Sequence, residues 1–318
     1  MSIGSPAPFH TGIACGPTGG HARWLTTHDN VTIRVGAWAS PPQTRGTVFI
    51  FTGRTEYIEK YGPAAQDLFQ RGYGCVSIDW RGQGLSDRAL PDRAKGHVGH
   101  FDEYQNDTDA VLAWAHAADL PQPWFVLAHS MGATIALRRL MQSHPFRACA
   151  LSSPMLGIKL PAVLGAVEMH LARGLSRFGP VTSYPPAMGA HAYVLRASFK
   201  NNLLTTDKDM WDFMVMQLSE VPELALGAPS FSWAAEGILE CARLAAMPAP
   251  ALPCYCAIGT HERVVRTDIV VRRMNDWPAG RFDQIVGAQH EIMMETPARR
   301  ARFFDAVCAG FDRGGQTA

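Results

Sequence analysis

Six short β-rich runs are spaced along the chain, most of them apolar at nearly every position and ending in turn residues. They are Thr47–Gly53 (TVFIFTG), Tyr73–Asp79 (YGCVSID), Trp124–His129 (WFVLAH), Ala148–Ser153 (ACALSS), Cys254–Gly259 (CYCAIG) and Arg281–Gly287 (RFDQIVG). Between them the pattern turns helical, over Pro63–Arg71, Phe101–Ala117, Met131–Ser143, Arg266–Asp276 and Pro297–Phe311. Strands of continuous apolar residues are buried on both faces, and strands that alternate with helices pair in parallel. The pattern therefore predicts an α/β fold, a parallel sheet with helices on both sides. Upstream, RWLTT and VTIRVGAW flank His28-Asp29-Asn30 and predict an antiparallel hairpin at one edge.

The alternation stops between about residues 154 and 246. This stretch shows helical segments, proline-rich joints (YPPAMG, GAPS) and many large apolar residues, but no good strand. Met155, Met169, Met188, Met210, Met214, Met216, Trp211, Phe213, Phe231 and Trp233 all fall within it. The expected organisation is a core of residues 20–153 and 247–313, a helical cap of residues 154–246 inserted into it, and flexible tails at 1–19 and 314–318. The methionines suit the packing of such an insertion. They equally suit an adaptable pocket for an acyl chain, because methionine fills irregular spaces. Met155, Met214 and Trp211 are the candidate lining residues.

Composition narrows the function classes. Apolar residues make up 47% of the 318 positions and charged residues 18%, enough for a sizeable core. The formal net charge is +1, with no basic stripe, so nucleic acid is not expected as a partner. Seven scattered cysteines form no CxxC pair, which argues against a zinc site or a disulfide framework. No run of about 18 apolar residues exists to cross a membrane. The sequence MSIGSPAPFHTGIACG has neither the basic nor the apolar region of a signal peptide. The expected location is the cytoplasm, with peripheral contact at the inner membrane as an open alternative. Oligomeric state is not legible.

The candidate chemistry begins at Ala128-His129-Ser130-Met131-Gly132, where a predicted strand passes into a predicted helix. A serine held on a tight strand-to-helix turn needs small residues two positions before and after it, and Ala128 and Gly132 supply them. The plainer reading of Ser130 is a helix N-cap. A serine nucleophile needs a base held by an acid, and in sheets of this class the order is serine, acid, histidine. Glu262, just past the CYCAIG strand, is the candidate acid, and His290, after the last strand, the candidate base. His261 and Asp268 are the local competitors, and Asp283 lies within a strand. The backbone N–H groups of Met131 and of Arg54, in the loop TGRTEY, are the candidate oxyanion donors. The Arg54 side chain is alternatively a surface cation that steers a phosphate or pairs with Glu56.

With these residues assembled, the chain resembles an α/β-hydrolase of the bacterial lysophospholipase L2 and monoacylglycerol lipase group. The resemblance rests on five blocks in order: TGRTEYIEKYGPAAQDLFQRGYGCVSIDWRGQGLSDR, GHVGHFDEYQNDTDAVL, LAHSMGA, GTHERVV and GAQHEIMMET. It implies an eight-stranded, mostly parallel sheet with a helical cap after the sixth strand, no metal and no organic cofactor. Ser130 is then the nucleophile, Glu262 the acid and His290 the base, with the oxyanion hole at Arg54 and Met131. Asp79, Arg81 and Gly82 of DWRGQG, with His97, His100 and Asp107, are expected to be structural. The chain departs from many such proteins in Thr52-Gly53 where they have His-Gly, in Glu262 where they often have Asp, and in Ala128 where they have Gly. The implied substrate is a lipid-like carboxylic ester with one acyl chain. Lysophospholipid leads and monoacylglycerol follows, with short-chain esters and peptides as rivals. Arg54, Lys159, Arg173 and Arg177 are the candidate cations for a phosphate. A non-catalytic binding protein on the same fold is the alternative from another class.

Overall fold

The computed structural model describes residues 3–159, 168–177 and 181–316. Its nine strands are β1 (Ser5–Ala7), β2 (His21–Thr26), β3 (Thr32–Trp38), β4 (Thr47–Phe51), β5 (Gly74–Asp79), β6 (Trp124–His129), β7 (Phe146–Ser152), β8 (Cys254–Gly259) and β9 (Gly280–Ile285). They form one sheet in the order β1-β2-β3-β5-β4-β6-β7-β8-β9. From β5 through β4 to β9 every pairing is parallel, while β1–β2, β2–β3 and β3–β5 are antiparallel.

Each central strand divides its side chains between two cores because successive residues point to opposite faces. In β4, Val48 and Ile50 pack with Tyr61, with Leu68 of α2 (Gly62–Gln70) and with Phe303, Val307 and Phe311 of α10 (Pro297–Gln316). Phe49 and Phe51 face the other side, with residues of α3 (Tyr104–Ala117), α4 (Met131–Leu140) and α9 (Thr267–Asn275). Strand β9, expected over Arg281–Gly287, is more polar than the central strands because it is an edge. Its Gly280 and Arg281 are exposed, and the charge of Arg281 discourages further pairing.

Between β7 and β8 the described residues are helical or irregular, as the broken alternation predicts. They hold α5 (Glu168–Arg177), α6 (Tyr193–Arg196), α7 (Lys208–Glu220) and α8 (Phe231–Ala245). Asp207 and Ser230 cap α7 and α8 through their side-chain oxygens. Helix α8 is shared with the core, since Trp233, Cys241 and Leu244 join the same buried cluster as Phe51 and Leu151.

The ends of the chain differ from the expected tails. Ser5–Ala7 pair with Ala22–Trp24 and add a ninth strand to the eight implied. Ile13, in the short helix α1 (Thr11–Ala14), packs with Tyr57, Leu218 and Leu224. Three residues beside prolines carry no readable period, and the strand forms only because β2 presents an open edge. At the other end α10 continues to Gln316, and a Cβ at Gly314 would lie 2.7 Å from that of Ala148. Gly314 there allows close approach of helix and sheet rather than ending the helix.

Candidate active site

Strand β6 ends at His129 and α4 begins at Met131, so the whole turn falls on Ser130, at φ 49° and ψ −116°. A non-glycine residue at positive φ is strained and persists only where its surroundings hold it. Ser130 N donates to Ser152 O at 3.1 Å, and Ser130 O accepts from the amides of Ala133 and Met155, each at 3.0 Å. Gly132 permits the sharp turn: a Cβ there would lie 2.1 Å from Phe51 O and 2.5 Å from Thr52 O. Ala128 is tolerated as the leading small residue, fully buried in the strand.

The Ser130 side chain makes no cap hydrogen bond to α4, which separates it from an ordinary N-cap serine. Its Oγ lies 3.0 Å from His290 Nε2, and His290 Nδ1 lies 2.7 Å from Glu262 Oε2. His290 follows β9 and Glu262 follows β8, so three strand ends meet at one point, as expected for a site at the carboxyl edge of a parallel sheet. Glu262 Oε1 accepts from the amides of Val264 and Val265, at 2.6 and 3.1 Å, which fixes the carboxylate. Burial works to raise the pKa of Glu262. Attraction to His290, the hydrogen bond to it and the two amides outweigh burial and hold the pKa at about 2. The competing residues lie elsewhere. His261 is exposed, Asp268 pairs with Arg266 and Arg272 on the surface, and Asp283 pairs with Arg302.

A pH consequence follows. The folded-state pKa of Glu262 lies below its ordinary value of 4.5, so its contribution to stability is fully present above about pH 4.5 and is lost as pH falls through about 2. Acid-unfolding curves of the wild type and Glu262→Gln are expected to converge over that window. A gap that stays constant down to pH 2 would contradict the ion pair.

The loop after β4 lies against the elbow, because Gly132 touches the backbone of Phe51 and Thr52. Trp80 Nε1 donates to Thr52 O at 3.0 Å, Gln83 Nε2 donates to Gly53 O at 2.9 Å, and Thr55 N donates to Gln83 Oε1 at 3.0 Å. The DWRGQG block thus braces this loop. Asp79 in turn accepts from Arg34 Nε and from the amides of Ile58 and Leu85, and Arg81 bridges Asp107 and Asp29. Gly82 adopts φ +80°. His97 meets Ser230 Oγ at 2.8 Å, and His100 forms a capping box with Glu103. Among the described residues the amides of Arg54 and Met131 have no protein acceptor, which leaves them available to a ligand.

The Arg54 side chain does not pair with Glu56. Its Nη1 donates to Gly227 O at 2.9 Å, and its guanidinium lies 5.5 Å from the Trp233 ring centre, facing the inserted segment. No carboxylate lies within ion-pair distance among the described residues. Burial lowers its pKa to about 10, with Tyr104 pulling slightly the other way, so it remains a cation at neutral pH.

The candidate lining residues are placed unequally. Met155 adjoins Ser130, since its amide bonds to Ser130 O. Trp211 and Met214 are buried with Met294, four residues past His290, and anchor α7 on that loop. Arg173 is exposed on α5, Lys159 is exposed, and the side chain of Arg177 lies outside the described residues.

Sequence reasoning missed a group of buried charges beside the triad: Glu56, Lys60, His129 and Glu291. It also missed Glu59, which pairs with Arg34. The segment TEYIEKY reads as a solvated helical face, and only its crowding between two apolar elements hints otherwise.

The sheet, the elbow and the Ser130–His290–Glu262 row define an α/β-hydrolase. The chain belongs to the family described as serine aminopeptidase, S33, whose model matches residues 42–297. It is 31% identical over 304 residues to lysophospholipase L2 of Escherichia coli (strain K12), covering 91% of this chain and 86% of that one. It is 28% identical over 265 residues to a probable lysophospholipase L2 of Haemophilus influenzae, covering 83% and 82% of the two chains. The fold is similar to that of a monoglyceride lipase from Saccharomyces cerevisiae, solved as a soluble variant with a substrate analogue. That likeness has a TM-score of 0.69 at 18% identity and covers 98% and 94% of the two chains. No helix among the described residues is long and apolar enough to cross a membrane.

Proposed function

We propose that this chain hydrolyses the carboxylic ester of a single-chain lipid through an acyl-enzyme, with lysophospholipid as the leading substrate. The observation that carries the reading is the row of contacts from Ser130 Oγ through His290 to Glu262, set on a strained turn that serves no capping role. His290 Nε2 takes the hydroxyl proton as Ser130 Oγ attacks the ester carbonyl. Glu262 Oε2 accepts a hydrogen bond from His290 Nδ1–H, fixing the tautomer and stabilising the imidazolium without itself becoming protonated. The amides of Arg54 and Met131 receive the oxyanion, each worth roughly 2.7–4 kcal/mol in the transition state. His290 then protonates the leaving alcohol, which departs and leaves the acyl group on Ser130 Oγ; it next deprotonates a water that attacks the acyl carbonyl, and returns the proton to Oγ as the fatty acid leaves.

Similarity to the named lysophospholipases and the uncompensated cation of Arg54 favour a phosphate-bearing head group. The engagement of Arg54 by Gly227 and Trp233 favours the second reading, a glycerol ester, with Arg54 fastening the inserted segment to the loop. Fatty-acid release from lysophosphatidylcholine and monoacylglycerol of equal chain length separates the two. For a phosphate role, Arg54→Gln is expected to lower kcat/KM on the phospholipid about tenfold more than on the glycerol ester, the order of one charge-assisted hydrogen bond. Equal losses on both would make Arg54 a fastener. No release from either lipid would remove the lipid assignment.

A further inference from the structure

Beside the triad lies a group of charges that this mechanism does not use. His129 immediately precedes Ser130 and Glu291 immediately follows His290, so each is one peptide unit from a reacting group. Lys60 Nζ donates to Glu56 Oε1 and to Glu291 Oε1, both at 2.7 Å. His129 Nε2 lies 3.3 Å from Glu291 Oε2 and 3.6 Å from Glu56 Oε1. His129 Nδ1 lies 3.0 Å from the Ser152 carbonyl oxygen. Glu56 Oε2 also accepts from the Gly53 amide and the Tyr61 hydroxyl. The His129 and His290 rings are 4.8 Å apart, centre to centre. All four charged side chains are buried.

The protonation pattern follows from the partners. A carbonyl oxygen only accepts, so His129 Nδ1 carries a proton. Its Nε2 faces two carboxylates and is favoured with a proton as well. Burial opposes a charged imidazole here, but attraction to Glu291 and Glu56 outweighs it and raises the His129 pKa. With His129 protonated, two carboxylates, one ammonium and one imidazolium sum to zero. A buried group left unbalanced would be costly, and its field would act at short range in a medium of low dielectric.

We infer that Glu56, Lys60, His129 and Glu291 form a charge-balanced positioning cluster. It locks the oxyanion loop, the elbow and the His290 loop together and sets the electrostatic potential at His290. Glu56 holds the oxyanion loop through Gly53, His129 holds the elbow through Ser152, Glu291 belongs to the base loop, and Lys60 joins the two acids. Glu56, His129 and Glu291 are residue types that bind metals, with ligand atoms within 4.8 Å of one another. The Lys60 ammonium already bonds both carboxylates and supplies the cation of the cluster. The titratable groups around the imidazole pair are Glu262 after β8, His129 at the end of β6, Glu291 in the base loop, and Glu56, Tyr57, Lys60 and Tyr61 after β4.

The test rests on the triad assignment and reads the pH profile of kcat/KM for Ser130-dependent ester hydrolysis, whose acid limb reports the free enzyme's base. Lys60→Met leaves excess negative charge and is expected to move the acid limb to higher pH. Glu291→Gln leaves excess positive charge and is expected to move it to lower pH, each by on the order of one pH unit. The double variant restores the balance, and its acid limb is expected nearer the wild type than that of either single variant. A purely structural role predicts loss of rate with no opposed shifts and a double variant at least as damaged. That result, or shifts of one sign, would overturn the cluster's electrostatic role. Nitrogen NMR of the wild-type imidazoles decides the matter if a single variant does not fold: His129 is expected doubly protonated near neutral pH, and a neutral His129 would refute the charge count. Wild-type activity that survives Ser130→Ala would fail the triad reading instead.

Discussion

Ser130→Ala is expected to lower ester hydrolysis roughly ten-thousandfold to a millionfold, while changing folding stability by less than about 1 kcal/mol. The first half follows from the site. Oγ is the only atom lost, and it is the one aligned with His290 Nε2 at 3.0 Å. The second half follows from the turn. Its restraints are backbone bonds from Ser130 to Ser152, Ala133 and Met155, and the absence of a Cβ at Gly132, none of which the substitution touches. Turnover in the variant and denaturant unfolding of both proteins check the two halves together. A folded variant with ordinary turnover would place the chemistry elsewhere.

Glu262→Gln is expected to cost about as much as loss of the orienting acid does in other serine hydrolases, roughly 10^4 in kcat. The reason is the tautomer rather than the charge alone. Glu262 Oε1 accepts from Val264 and Val265, so a glutamine keeps its carbonyl there and turns its NH2 group towards His290 Nδ1. Nδ1 must then accept, the ring proton moves to Nε2, and Nε2 can no longer receive the Ser130 proton. The check is a side-by-side measurement of Glu262→Gln and Glu262→Ala. A glutamine variant that retains a tenth or more of wild-type kcat would show that Glu262 does not set the tautomer.

The alternation of strands and helices was readable because β4, β6, β7 and β8 lie in the middle of the sheet and are buried on both faces. The elbow was readable because its strain demands small neighbours at fixed positions. The meeting of Glu262 and His290 with Ser130, as candidate acid and base, was readable from chain order and from their places just past strands. What escaped reading had no local pattern. Strand β1 exists only because β2 offers an edge, and α10 runs on through Gly314 and Gly315 with the sheet close beneath Gly314. The charges of Glu56, Lys60 and Glu291 look like surface residues, since their burial depends on partners far away in sequence. Trp211 and Met214 suit a pocket lining by their chemistry. Their packing on Met294 depends on how α7 meets the His290 loop, which periodicity does not encode.

The most direct test of the account is covalent labelling by a fluorophosphonate, followed by mapping of the modified peptide. The account predicts one adduct on Ser130 in the wild type, none in Ser130→Ala, and much slower labelling in Glu262→Gln. A folded wild-type chain that stays unlabelled, or one labelled at another residue, would contradict it.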